Sequence, residues 1–124
     1  MNYDVFNGDA DGIIALIQLR LSSPKKSTLV TGVKRDIGLL KQVKANHGDV
    51  ITVLDISMEK NIEALKQVID DGASVFYADQ HRSGDIPTSE KLDAHIDLDA
   101  NTCTSLIIDN LLNGQYRNWA ITAA

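Results

Sequence analysis

Short apolar runs with β preference alternate along this chain with segments whose apolar residues recur every three or four positions. That alternation leaves few folds open. The β-type runs are residues 3–6, 28–31, 50–54, 74–78 and, more weakly, 94–97. Helical spacing links Ile13, Ile14, Leu16, Ile17 and Leu21; then Ile37, Leu39, Leu40 and Val43; then Ile62, Leu65, Val68 and Ile69; then Leu106, Ile107, Leu111 and Leu112. Strand then helix, repeated, is the order of βαβ units whose crossover helices cover both faces of a parallel sheet. The sequence therefore predicts an α/β fold, a three-layer α/β/α sandwich with a mainly parallel, doubly wound sheet of about five strands. Ser22-Ser23-Pro24 ends the first helix, Gly72 follows the third, and Thr102 or Thr104 is placed to cap the fourth.

With 124 residues, 44% of them hydrophobic, the chain has material for one core and one domain over residues 1–124. No stretch approaches the ~20 apolar residues that a membrane-spanning helix needs, and the first residues lack the basic-then-apolar pattern of a signal peptide. A cytoplasmic protein with no membrane partner is expected. Cys103 is the only cysteine, so no internal disulfide and no thiolate cage can form. It is read as a small buried residue at a helix start, a position that can lower a thiol pKa. The net charge of -5 argues against a generally basic surface that grips nucleic acid, and 5% aromatic residues leave few platforms for base stacking. Neither excludes phosphate chemistry, because bound divalent ions add positive charge that a formal count omits.

The acidic residues fall where such a sheet binds ligands, outside the carboxyl ends of its strands. Asp9 and Asp11 follow the first strand, Asp55 closes VITVLD, Asp79 closes SVFYAD, and Asp97 closes AHID with Asp99 just beyond, while the strand starts are read as free of Asp. Gly8 and Gly12 flank the first pair and are expected to let the backbone turn sharply there. Carboxylates that converge repel one another unless some are protonated or hard cations lie between them. Oxygen ligands joined by the imidazole of His81 suit Mg²⁺ or Mn²⁺ and tilt towards Mn²⁺. Two such ions can bind a phosphate and activate water. Taken singly, Asp97 and Asp99 read as turn or cap residues; His47 reads as a loop histidine, His95 as a structural strand residue, and Lys34 and Arg35 as surface cations within reach of an anionic substrate.

FNGDADGI, VLDIS and ADQHRSGDIP, in this order, resemble the first three motifs of the DHH phosphoesterase superfamily. The resemblance spans nearly the whole chain. It implies a metal-dependent phosphoesterase that hydrolyses a phosphodiester or phosphoanhydride by metal-activated water, with two Mn²⁺ or Mg²⁺ ions in the complete enzyme. Its substrate would be a phosphorylated small molecule or a short oligonucleotide. By that likeness Asp9 and Asp11 would each ligate one ion and Asp55 would bridge them. Asp79, Gln80 and His81 stand where the family has Asp-His-His, so that Gln80 is a metal-ligand position, His81 contacts the phosphate and Asp79 orients the site. Asn7 stands where relatives commonly carry a metal-binding His or Asp. Gln80 offers only a neutral carbonyl oxygen, a poorer ligand than imidazole for a transition ion. The family's fourth motif and its smaller C-terminal substrate domain are expected beyond Ala124. Homo-oligomerisation is left open.

Three other readings compete. A receiver domain shares the length, the alternation and an Asp near the end of the third strand, but it needs a hydroxyl after the fourth strand and a lysine after the fifth; this chain places Asp79-Gln80 and Asp97-Leu98-Asp99 there. DADG also resembles the nucleophile loop of haloacid-dehalogenase phosphatases, although Ile13 follows it and no later lysine pairs with it convincingly. The non-enzymatic alternative is a degenerate DHH module that binds a nucleotide or a partner.

Overall fold

In the computed structural model, residues 1–33 and 38–123 are described. Lys34 and Arg35, expected near the substrate, lie outside them. Five strands form one all-parallel sheet in the order β2-β1-β3-β4-β5. They are β1 (Asn2–Asn7), β2 (Thr28–Gly32), β3 (Val50–Leu54), β4 (Ser74–Asp79) and β5 (Leu92–Ile96). The helices are α1 (Ala10–Ser22), α2 (Ile62–Asp70), α3 (Thr104–Leu111) and α4 (Arg117–Ala123). The predicted α/β class and strand positions hold; β5 starts two residues before the expected run, at Leu92 rather than Ala94.

The central strands bury both faces, which is why they read as near-continuous apolar runs. Side chains alternate strictly. Val5, Ile51, Val53, Val75 and Tyr77 point to the layer that holds α2, where they meet Leu39, Leu40, Met58, Leu65 and Val68. Phe6, Leu54 and Ala78 point to the opposite layer and meet Ala15 and Leu16 of α1 and Ile107 and Ile108 of α3. No helix among the described residues is long and apolar enough to cross a membrane.

Four expectations change. The second predicted helix is a single 3₁₀ turn, Leu39–Gln42, entered from Gly38 and closed by an extended Val43. Leu39, Leu40 and Val43 bury as helical spacing implies, with Ile37 outside the described residues, but the polar run from Lys44 to Asp49 supplies nothing to extend the turn. Strand starts are not free of Asp: Asp49 precedes β3, buried, and Asp4 lies within β1. Asp49 takes hydrogen bonds from the Asn46 N–H at 2.8 Å and the terminal amine at 3.1 Å, which hold its carboxyl below the usual range. Gly8 and Gly12 do not adopt a left-handed backbone. They are required by close approach, since a Cβ on Gly8 would lie 2.7 Å from the Gly32 carbonyl oxygen and one on Gly12 would collide with the Asn7 carbonyl. Finally, neither Thr102 nor Thr104 caps α3: the cap position is Cys103, which makes no side-chain capping hydrogen bond.

At the amino end of the sheet, Asp4 is 1% exposed. Arg20 of α1 grips both of its oxygens, Nε at 2.9 Å and Nη2 at 2.5 Å, and Ser27 Oγ donates at 2.6 Å. Arg20 also reaches Thr52 on β3 at 3.2 Å. The bidentate pair satisfies a charge that burial would otherwise leave exposed to a low dielectric. Arg20→Met should lower the unfolding free energy by about 3–5 kcal/mol, as expected when one partner of a buried pair is removed. In urea titrations the double variant Asp4→Leu/Arg20→Met should lose less than the single one.

Candidate metal centre

Strand order reverses between β1 and β3, because the chain leaves β1 for β2 on one side and then returns past it to β3. The crevice at the carboxyl ends of those two strands is where open α/β sheets bind ligands. Asn7, Asp9 and Asp11 come to this edge from β1 and the start of α1, Asp55 from the end of β3, and Asp79, Gln80 and His81 from the end of β4. Thr104 and Ser105 arrive from the start of α3.

Each loop is fixed locally. Asp9 is the N-cap of α1, its Oδ1 accepting from the Gly12 N–H at 3.0 Å, and its own N–H donates to Asn7 Oδ1 at 3.3 Å. Asp9 is solvent-exposed. Asp11 turns towards α3: Thr104 N–H reaches its Oδ2 at 3.1 Å, Ser105 N–H its Oδ1 at 2.7 Å, and Ser105 Oγ its backbone carbonyl at 2.9 Å. Asp11 therefore supplies the cap that α3 lacks in its own sequence, a carboxylate against the positive helix end.

Asp55 sits at φ 61, a left-handed conformation that Asp tolerates better than most residues and that tends to mark functional sites. It is 3% exposed. Its Oδ1 accepts from Gln80 Nε2 at 3.1 Å and lies 3.3 Å from Thr104 Oγ1. Burial first, then the charge of Asp11 and a shared hydrogen bond with Asp9, push its pKa up to about 8. Asp79 is fully buried, and desolvation raises its pKa, opposed by His81. Asp79 Oδ1 meets His81 Nδ1 at 2.7 Å, while its Oδ2 has no hydrogen-bond partner. The His81 side chain is 50% exposed.

Asp55, Asp79 and His81 each offer a ligand atom, and these atoms lie within 4.8 Å of one another. Oxygen ligands about 2.1 Å from a small divalent ion stand at most about 4.2 Å apart, so a sub-ångström closure would bring them to ligand distance. Among the described residues no Lys or Arg pairs with Asp9, Asp11, Asp55 or Asp79. A buried carboxylate oxygen without a donor, in a carboxylate and imidazole set that no described Lys or Arg joins, fits a hard divalent ion.

Other expected residues fall elsewhere. Asp97 and Asp99 are exposed and accept from the backbone N–H two residues on, at 3.0 and 2.9 Å, as ordinary turn residues do. His95 packs on Phe76 and pairs with Asp93 at 2.8 Å, and His47 is exposed beside Gly72. Burial pushes the Cys103 thiol up, and this outweighs the lowering by the helix-start N–H groups of Leu106 and Ser105. Thr104 and Ser105, both fully buried, are site residues that the motif reading missed. The hydroxyl pair beside a lone cysteine was the available signal. Comparison with known proteins finds neither a protein-family model nor a curated protein that matches this chain.

The metal-free protein should lose stability as pH rises from about 4 to about 8. Over that range the unfolded chain has released the Asp55 proton, from an ordinary value of 3.8, whereas the folded chain still holds it. The raised Asp79 carboxyl acts in the same direction. Thermal unfolding in chelator should show Tm falling over this range, and Asp55→Asn should flatten the fall.

Proposed function

We propose that this chain carries the metal site of a divalent-metal-dependent phosphoesterase of the DHH type, acting on a phosphodiester or phosphoanhydride of the nucleotide or oligonucleotide class. The observation that carries the reading is the meeting of Asp55, Asp79 and His81 from two strand ends, with Asp79 Oδ2 buried and unpartnered and no described Lys or Arg in attendance. The three ordered motifs supply the chemical class. Asp55, Asp79 and His81 would hold a Mn²⁺ or Mg²⁺ ion, and Asp9 borders the same crevice. The ion, when bound, supplies positive charge to a phosphate and lowers the pKa of a water.

The protein's own groups have separable tasks. Asp79, fully buried, fixes the His81 ring through Nδ1 and leaves Nε2 as the free nitrogen, an arrangement that orients a metal ligand or a proton carrier. His81 is exposed enough to meet a phosphate at the rim. Asp55 is held by its left-handed backbone and by Gln80 and Thr104, so its carboxyl has a fixed direction.

The strand order is also that of receiver domains, with Asp55 at the end of β3. The hydroxyl near Asp55 comes from α3 rather than from the end of β4, however, and no described lysine contacts it. Acetyl phosphate should leave Asp55 unlabelled.

Hydrolysis of bis-nitrophenyl phosphate tests the enzyme reading. Activity should require Mn²⁺ or Mg²⁺, vanish in Asp55→Ala, and fall at least about 10²-fold in His81→Ala. Metal binding without any turnover would favour the non-hydrolysing module instead.

A further inference from the structure

Gln80 lies between Asp55 and Thr104. Its Nε2 donates to Asp55 Oδ1 at 3.1 Å, and its Oε1 accepts from the Thr104 hydroxyl. Thr104 is fully buried at the first residue of α3 and also stands 3.3 Å from Asp55 Oδ1, but a hydroxyl has one proton to give. With that proton on Gln80 Oε1, the amide must present N–H, not its carbonyl, to Asp55. An amide so turned faces Asp55 with its N–H and has no lone pair to offer an ion there. Both Asp11 oxygens are turned to α3, where each accepts an N–H, from Thr104 and Ser105. Asp79 differs: its Oδ2 is buried and has no donor, and the residue belongs to the one group among the described residues whose ligand atoms gather closely enough for an ion.

We propose that this site takes one divalent cation, on Asp55, Asp79 and His81, and that Gln80, turned by Thr104, supplies a neutral donor to Asp55 in place of a second ion. The proposal rests on the reading of the site as a divalent metal centre and adds to it the number of ions and a positioning role for Thr104. Thr104 acts through the Gln80 amide and touches no reacting atom.

Equilibrium dialysis of the full chain against Mn²⁺, with bound metal quantified by elemental analysis, tests it without reference to turnover. The unmodified chain should retain one ion. Gln80→His, which replaces the blocking amide by an imidazole, should retain two. Thr104→Val frees the amide to turn its oxygen inward and should add a second, weaker ion, whereas Thr104→Ser, which keeps the hydroxyl, should stay at one. Two ions on the unmodified chain would overturn the proposal and leave the metal-dependent reading intact. No ion at millimolar Mn²⁺ would overturn both. One ion throughout, with Gln80→His and Thr104→Val folded by circular dichroism, would remove Gln80 and Thr104 from their assigned roles. The count on the unmodified chain stands whether or not the variants fold.

Discussion

A buried carboxylate at the end of β3 has to be compensated, and the rest of the site is arranged around that need. Asp55 is closed off from water beside Asp9 and Asp11, and a hydrogen bond from one amide, with one hydroxyl nearby, is weak compensation for a charge in that position. The same chain solves the same problem differently at the amino end of the sheet. There Asp4 receives a guanidinium and a hydroxyl, and its charge is settled within the protein. The contrast is chemical: one buried acid is matched by Arg20, and the other is surrounded by further acids and an imidazole.

The scaffold explains how residues from distant positions can meet. Parallel strands deliver all their carboxyl ends to one edge, and the reversal between β1 and β3 opens a crevice there rather than packing it with a crossover. Asp55 and Asp79 end neighbouring strands in register, with Leu54 beside Ala78. The short Gly8–Gly32 backbone contact draws the β1 loop against the end of β2. The turn at Asp55 is left-handed, and its carboxyl meets Gln80 and Thr104.

Much of this was legible in the sequence. Strands buried on both faces announce themselves as unbroken apolar runs, so β3 and β4 could be placed closely. The 3₁₀ turn at Leu39 could not, because its apolar spacing satisfies the same two core contacts in a single turn as in a full helix. Asp9, Asp55, Asp79 and His81 stood out because strand ends are where a parallel sheet does chemistry, and Gln80 only through the motif resemblance. Their partners were harder. Nothing local in the sequence links Asp11 to the start of α3, 93 positions later, or Arg20 to Asp4. The strand order and the burial of Thr104 likewise belong to tertiary packing, which alternation of elements does not specify.

The clasp between Asp11 and α3 also bears on how the molecule is made. Phe6, Leu54 and Ala78 share their layer with Ile107 and Ile108, so that side of the sheet lacks part of its cover until those residues have left the ribosome. Contacts that distant in the chain close late and slowly. The nascent N-terminal portion thus waits with a sticky surface bare, and the arrival of one short helix shields it.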